Sequence, residues 1–244
     1  MSTPESHGET AGRVVTRREA LALFTAPALL ALAGCLDGGA ASAAGAAPLT
    51  GGCVVRPALT EGPFYLGAGP VRSDIRAGRP GVPLALTFTV SRVVEGACAP
   101  LEGAAVDVWH ADAAGDYSGV GRLRDEAFLR GTQATDADGV ARFTTVYPGW
   151  YPGRTPHVHF KVRAAASDTQ AHEFTSQLFF DDEMSRRVYG RGAYAARGPH
   201  DVTNDRDGIF RRGAGGPGGA ELLLDTRETA EGYAAAFELA LHAA

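Results

Sequence analysis

The segment YPGRTPHVHF, residues 151–160, places a tyrosine, an arginine and two histidines close together. Side chains two positions apart on a β-strand point to the same face. A strand here would therefore aim His157 and His159 the same way, about 7 Å apart, with Val158 turned to a core. Imidazoles so placed can bind one metal ion. An H-x-H pair alone is equally compatible with an ordinary surface or core strand, so the neighbouring residues must decide.

Two tyrosines strengthen the metal interpretation. Tyr151 lies just before the proposed strand, and Tyr117 follows another apolar run in the segment VDVWHADAAGDYSG. Phenolate is a hard anionic oxygen donor that suits a highly charged ion such as Fe(III). Two tyrosinates, two neutral imidazoles and one hydroxide would leave a ferric site neutral, which a partly buried location tolerates. A hydrolase with zinc on His157 and His159 is the alternative, although no cysteine or carboxylate lies nearby in the usual zinc spacing.

The elements that must position these side chains have a period of two, which is typical of β-strands. The alternating apolar residues are Leu84, Leu86, Phe88 and Val90; Val106 and Val108; Val140, Phe143 and Val146; Val158, Phe160 and Val162; Phe174, Leu178 and Phe180. The Asp-Gly turn at 136–139 predicts a hairpin. Residues 233–241 combine helix-favouring alanines with a strand-like pattern, and we predict a strand. The chain is therefore expected to be all-β, an antiparallel β-sandwich with long active-site loops.

The first residues are typical of an export signal. Arg17 and Arg18 precede a short apolar run, residues 20–33, that is too short for a comfortable membrane span. TRREALAL resembles a twin-arginine signal, and LAGC resembles a bacterial lipobox in which Cys35 is acylated. Cleavage by an ordinary signal peptidase near residues 41–44 is the alternative. We expect a signal over residues 1–35, a flexible Gly/Ala linker over 36–52, and one domain over 53–244.

Cysteine number and charge limit the remaining possibilities. If Cys35 carries lipid, Cys53 and Cys98 form an even pair, which in an exported chain suggests a disulfide, with two separate thiols as the alternative. The formal net charge of −5 and the lack of a Lys/Arg block argue against nucleic acid as a partner. Small molecules or proteins are the expected partners, a membrane only through the lipid anchor, and a homo-oligomer is compatible with the sequence.

Several motifs in order along residues 60–180 resemble the intradiol ring-cleavage dioxygenases, the group of catechol 1,2-dioxygenase and protocatechuate 3,4-dioxygenase. They are TEGPFY, VWHADAAGDYSG, TDADG, PGWYPGRTPHVHFKV and SQLFF. The resemblance implies a prealbumin-like sandwich and a non-haem Fe(III) held by Tyr117, Tyr151, His157 and His159. It also implies that Arg154 steadies negative charge on the substrate and that Gln177 is the active-site glutamine of the family.

The reaction implied by this resemblance is cleavage of a catechol-type diol by O2 to a cis,cis-muconate-type product, with Tyr151 leaving the metal to act as a base. Pro63, Phe64 and Tyr65 match a segment near the substrate pocket of the family, or equally form a rigid domain entrance packed on the core. His110 is interpreted as structural, because the ligand set is complete without it. We expect no counterpart before Cys53 of the helical dimer-forming segment of the catechol-cleaving branch, and therefore an architecture that resembles the secreted single-domain members.

One alternative function follows from the scaffold. The segments GAAVDVWHADAAGDYS and TDADGVARFTTVYPGWY also resemble prealbumin-like β-sandwich modules, where the same turns only shape the fold. An exported binding module without catalysis is therefore the second hypothesis. The segment GRTPHVHF distinguishes the two, since a binding module has no need of paired histidines beside a tyrosine and an arginine.

Overall fold

The computed structural model describes residues 53–164, 172–212 and 218–242. These residues lie in one compact unit, Leu49–Ala244. The export signal, the linker and the acylated Cys35 lie outside the described residues and remain predictions. None of the helices in the described ranges is long and apolar enough to cross a membrane.

Two β-sheets form the fold. In chain order the strands are β1 (Pro83–Val94), β2 (Ala97–Pro100), β3 (Ala105–Trp109), β4 (Arg130–Ala134), β5 (Val140–Val146), β6 (His157–Ala164), β7 (His172–Phe179), β8 (Asp225–Glu228) and β9 (Tyr233–His242). One sheet has the order β2-β1-β9-β8, with β5 also paired to β1, and the other has the order β4-β3-β6-β7. The helices α1 (Asp182–Tyr189) and α2 (Gly208–Arg212) and several short 3-10 turns lie between β7 and β8.

The core lies between the two sheets, as the alternating sequence requires. Phe88 of β1 packs on Phe160 of β6 with ring centroids 5.3 Å apart, and Phe160 lies equally close to Phe237 of β9, at 5.3 Å. The prediction of an all-β fold is confirmed, and the run 233–241 is a strand as expected. One pairing departs from the antiparallel expectation, because β9 runs parallel to β1. The long connection from β7 to β8 allows the chain to return in that direction.

The predicted hairpin at 136–139 is wrong. The turn itself forms, with Gly139 at a φ of 75° and Asp136 Oδ1 accepting from the Val140 amide at 2.8 Å. However, β4 and β5, the strands on either side of it, belong to different sheets. The Val90 amide of β1 donates to the Gly139 carbonyl at 2.8 Å, so the turn packs against β1 and carries the chain across the sandwich.

Strand β6 carries the two candidate histidines on the face away from the core. Val158, Phe160 and Val162 are fully buried in the core, as predicted from the alternation. The outer face is covered by the irregular segment that leads from Cys53 to β1. Its Leu59 amide donates to the Thr175 carbonyl of β7 at 3.1 Å. Cys53 and Cys98 form a disulfide with a Cα–Cα distance of 5.4 Å, which ties the start of this segment to β2.

Candidate metal centre

His157 and His159 converge on the outer face of β6. Their Nε2 atoms lie 3.1 Å apart, and both side chains are buried. His157 Nδ1 donates to the Thr155 carbonyl at 2.7 Å, since a carbonyl can only accept. That contact fixes the tautomer and leaves the lone pair of His157 on Nε2. The ring of His159 lies parallel to that of Trp109, with centroids 5.0 Å apart and planes 8° apart.

The two candidate tyrosines approach the same point from different loops. Tyr151 Oη lies 3.1 Å from His157 Nε2. The Tyr117 ring lies 5.8 Å from the Tyr151 ring and 6.2 Å from the His159 ring, measured between centroids. Tyr117 Oη is buried, and no residue in the described ranges hydrogen-bonds to it. The loop that delivers Tyr117 is shaped by Asp112, whose Oδ1 accepts from the amides of Ala114 and Asp116, an Asx-type turn.

All four side chains are electrically neutral at neutral pH in this structure. Burial, with the Arg154 charge, lowers the pKa of His157 to about 3. Burial and the neighbouring His157 hold the pKa of His159 well below its ordinary value. Burial and then Tyr151 raise the pKa of Tyr117 well above its ordinary value, and burial raises the pKa of Tyr151 against the opposing Arg154 charge. The imidazoles are therefore ready to bind a cation, whereas the phenols must lose protons to do so.

Arg154 is held beside these donors by two side chains. Its Nη2 donates to Gln177 Oε1 at 2.6 Å, and its Nη1 lies 3.4 Å from His157 Nε2. Its Nε donates to Asp207 Oδ2 at 2.7 Å. Gln177 stands opposite His159 in the β6–β7 register and donates from Nε2 to the Thr60 carbonyl at 2.9 Å. The guanidinium is thus fixed on one side of the candidate centre.

Asp207 was not found by sequence reasoning. It is fully buried, and it also accepts from the amides of Thr155 at 2.9 Å, Ile209 at 2.7 Å and Phe210 at 3.0 Å. It thereby caps the start of α2 while pairing with Arg154. The Asp-Gly pair at 207–208 is a cap signature, but it lies 53 residues after Arg154 with no motif that connects the two.

A cleft of about 370 Å³ opens beside the two tyrosines. Its lining includes Phe64, Tyr117, Val120, Leu123 and Tyr151, with the ion pair of Arg122 and Asp116 also on its wall. Phe64 is stacked on Tyr117 with ring centroids 4.5 Å apart. The cleft is therefore mostly apolar, with one charged pair.

The other predicted residues of the pocket segment lie elsewhere. Tyr65 is not part of this lining, since its hydroxyl donates to Asp107 Oδ2 at 2.8 Å and its ring packs on Trp109 at 4.8 Å. Pro63 is exposed and also stands outside it. His110 is 1% exposed, and its Nδ1 and Nε2 contact the Ala111 carbonyl at 2.9 Å and Thr145 Oγ1 at 2.7 Å. Both of its nitrogens are thus engaged in the protein framework.

The donor chemistry of the site depends on the phenols. In the part of the chain that the structure describes, no three His, Cys, Asp or Glu side chains lie close enough to hold a metal ion. The two histidines gain a third and fourth donor only if Tyr117 and Tyr151 contribute. Such a mixed nitrogen and phenolate set suits a trivalent ion better than zinc.

Comparison with known proteins places the chain in a family. A family model described as Dioxygenase matches residues 60–188. Catechol 1,2-dioxygenase 1 of Acinetobacter lwoffii is 30% identical over 166 residues, 58% of this chain and 50% of the relative. The protocatechuate 3,4-dioxygenase beta chain of Burkholderia cepacia is 33% identical over 129 residues, 46% of this chain and 53% of the relative. The chain spans about half the length of these curated relatives.

A solved structure covers more of the fold. An intradiol ring-cleavage dioxygenase from Tetranychus urticae superimposes with a TM-score of 0.67 at 30% identity, over 78% of this chain and 95% of that one. The family match spans the loop of Tyr117, the strand of the two histidines and the glutamine beside Arg154. The chain therefore belongs to the intradiol ring-cleavage dioxygenases, a family of oxidoreductases.

Proposed function

We propose that this protein is a non-haem Fe(III) enzyme that cleaves a catechol-type aromatic diol with O2 between its two hydroxylated carbons, giving a cis,cis-muconate-type product. The observation that carries the proposal is the convergence of two buried imidazoles, the buried Tyr117 phenol and the half-buried Tyr151 phenol beside a fixed guanidinium. Homologues named for catechol cleavage support the reaction class.

The residues present fit a ferric ion. The His157 Nε2 lone pair is free of any backbone contact because the opposite nitrogen donates to Thr155. Tyr117 Oη is a buried polar atom that finds no partner among the residues the structure describes, which costs about 1–3 kcal/mol unless something binds it. Tyr151 Oη lies on the same side, 3.1 Å from His157 Nε2. We propose that Tyr117, Tyr151, His157 and His159 hold the metal.

A bound Fe(III) would supply Lewis acidity toward the diol oxygens and draw electron density from the ring, which opens a ring carbon to O2. Tyr151, once released from the metal as a phenolate, would receive a proton from a diol hydroxyl at its Oη, which is the base role that the resemblance to the family implies. Arg154 would stabilise the negative charge that develops on the ring, because its partly buried guanidinium is fixed by Asp207 and Gln177 before the reaction begins. Gln177 would keep the guanidinium in that orientation.

The cleft beside Phe64 and Tyr151 is the proposed route for the diol. Its volume of about 370 Å³ falls in the range of small-molecule sites. Phe64, Val120 and Leu123 offer apolar surface for an aromatic ring. Phe64 stacks on Tyr117 beside this cleft, and the Tyr117 oxygen is itself buried.

Reconstitution of the full metal-free chain with Fe(III) tests the proposal. The protein should turn burgundy through tyrosinate-to-iron charge transfer, and Tyr151→Phe should shift that band. Tyr233→Phe is a matched control. Tyr233 lies on β9 of the other sheet, where its hydroxyl accepts from Arg191 at 3.0 Å, so its loss should leave the band in place. A colourless protein that takes up only zinc would contradict the proposal.

We further propose that the sandwich is prealbumin-like and that the chain is exported, with residues 1–35 as the signal and Cys35 as the lipid-bearing residue. The motif LAGC at the end of a short apolar run supports the anchor. Cys35→Ser should then move the protein from the membrane fraction to the soluble fraction. Recovery of both forms in the soluble fraction would contradict the anchor.

A further inference from the structure

Arg130 is a buried cation that joins two irregular segments of the chain. It is the first residue of β4 and is 7% exposed. Its Nη1 donates to the Phe64 carbonyl at 2.7 Å, and its Nη2 and Nε donate to the Ser118 carbonyl at 2.8 Å and 3.2 Å. None of the ion pairs found among the described residues includes Arg130.

The two segments that Arg130 joins carry the facing rings of the cleft. Phe64 is one of the bonded residues, and Tyr117 immediately precedes the other. Their rings are stacked with centroids 4.5 Å apart and planes 30° apart. Neither residue is in a strand, so no β-ladder holds the rings in register. The Arg130 hydrogen bonds are therefore a direct link between the backbones that carry the two rings.

The chemistry of this link requires arginine. A buried charge costs several kcal/mol of free energy unless polar groups surround it. The planar guanidinium meets acceptors on two segments at once, while a lysine ammonium is a compact point charge that cannot span both in the same geometry. Ser118 is itself fixed, because its Oγ donates to the Phe128 carbonyl at 2.6 Å. Arg130 thus ties the Phe64 segment to an already anchored point.

We propose that Arg130 is a positioning residue for the metal centre, which it serves by holding the Phe64 backbone against the Ser118 backbone. This link fixes the Tyr117 ring against Phe64 and so sets the location of the buried Tyr117 oxygen. The inference rests on the proposed function, because the role of Tyr117 as a metal ligand belongs to that proposal.

The test compares three variants of the full chain, Arg130→Met, Arg130→Lys and Arg56→Met. Arg56 is the matched control, since its guanidinium also donates to two backbone carbonyls, those of Glu238 at 2.9 Å and Glu221 at 2.7 Å, and lies over Phe237. Each variant is loaded with Fe(III). The readouts are the tyrosinate-to-iron absorption band, the chelator concentration that removes half of the iron, and the melting temperature of the metal-free form.

Arg130→Met is expected to shift the band and to lower iron affinity by about tenfold or more, the size usual for residues that orient metal ligands. Arg130→Lys should fall between Arg130→Met and the wild type, and Arg56→Met should keep the wild-type band and affinity. If Arg130→Met does not fold, Arg130→Lys decides alone, and a wild-type band and affinity in that variant overturn the proposal. So does an Arg130→Met protein that differs from wild type only in melting temperature.

The wild-type protein distinguishes a failure of the proposed function from a failure of the proposal on Arg130. A wild-type chain that forms no coloured ferric complex refutes the proposed function, and the inference on Arg130 falls with it. A wild-type chain that forms the complex, together with an unchanged band and affinity in both Arg130 variants, refutes the inference and leaves the proposed function standing.

Discussion

Arg154 and Asp207 form an ion pair, 2.7 Å between Nε and Oδ2, across 53 residues of sequence, with the carboxylate fully buried and the guanidinium partly buried. The same carboxylate accepts three backbone amides, from Thr155, Ile209 and Phe210. Asp207 therefore connects the guanidinium beside the candidate metal centre to the start of α2. Asp207, which directly follows the 3-10 turn Asn204–Arg206, thus helps Gln177 to orient Arg154, the proposed charge-stabilising group.

Asp207→Asn should weaken both folding and turnover. The substitution leaves the partly buried Arg154 guanidinium without its carboxylate, and the loss of unfolding free energy should stay below the roughly 3–5 kcal/mol that breaking a fully buried ion pair costs. We expect a lower urea midpoint and a lower kcat, because Arg154 loses its fixed orientation. Asp205→Asn, at an exposed neighbouring position, should change neither. Equal kinetics in the wild type and Asp207→Asn would show that Asp207 has no influence on Arg154 in the reaction.

The ion pair of Arg154 and Asp207 makes the unfolding free energy of the protein depend on pH in the acid range. Burial alone would raise the pKa of Asp207, but the Arg154 guanidinium and the backbone donors outweigh it and hold this pKa below the ordinary value. A lowered pKa in the folded state contributes stability above the unfolded value, near pH 4, and this contribution is lost as the pH falls through the folded value. The unfolding free energy of the metal-free chain should therefore fall more steeply below about pH 4 in the wild type than in Asp207→Asn. Parallel curves would contradict the assignment.

Removing the Tyr117 hydroxyl should stabilise the metal-free protein. Within the described part of the chain Tyr117 Oη is buried without a partner, so Tyr117→Phe should relieve a penalty of about 1–3 kcal/mol. Tyr147→Phe should have the opposite sign, since the Tyr147 hydroxyl is bonded to Ser185 Oγ at 2.7 Å in the core. Chemical unfolding of the two metal-free variants measures the difference. A Tyr117→Phe chain that is less stable than the wild type would mean that the phenol is satisfied in the protein alone.

Gly62 offers a test of how closely the outer segment approaches the centre. Its φ is +73°, and a Cβ there would lie 3.2 Å from His159 Cε1. Gly67 also has a positive φ, +90°, but a Cβ there meets nothing within 4 Å. Both alanine variants should lose about 1 kcal/mol or more through backbone strain, and only Gly62→Ala should also lower iron affinity by crowding His159. Equal iron affinities in the two variants would contradict the predicted contact.

Local pattern predicted the part of the site that one strand builds. The alternation of Val158, Phe160 and Val162 places His157 and His159 on the opposite face, because a strand has a period of two. The resemblance of the loop motifs pointed to Tyr117 and Tyr151 as candidates in the same neighbourhood. Those two tyrosines lie on short segments in which glycine, proline and aspartate residues predict the turns.

The remaining features depend on contacts between distant segments. Asp207 contacts Arg154 because α2 packs beside β7. The hydrophobic periodicity of the sequence does not predict which helix packs beside which strand. Arg130 occupies the first position of a strand, where a sequence pattern predicts only an edge or surface charge. The hairpin prediction was wrong for the same reason. The turn at 136–139 forms as predicted, but the strands on either side of it pair in different sheets. Tertiary packing, not local propensity, selects the partners of such segments.

The most direct test of the central claim is the mass of the ring-cleaved product formed by the Fe(III)-loaded chain under ¹⁸O₂, with a panel of catechol, protocatechuate, hydroxyquinol and lignin-derived diols. The account predicts oxygen uptake with at least one diol and a cis,cis-muconate-type dicarboxylate that carries label from O2. An aldehyde product from cleavage beside the diol, or no oxygen uptake with any member of the panel, would contradict it.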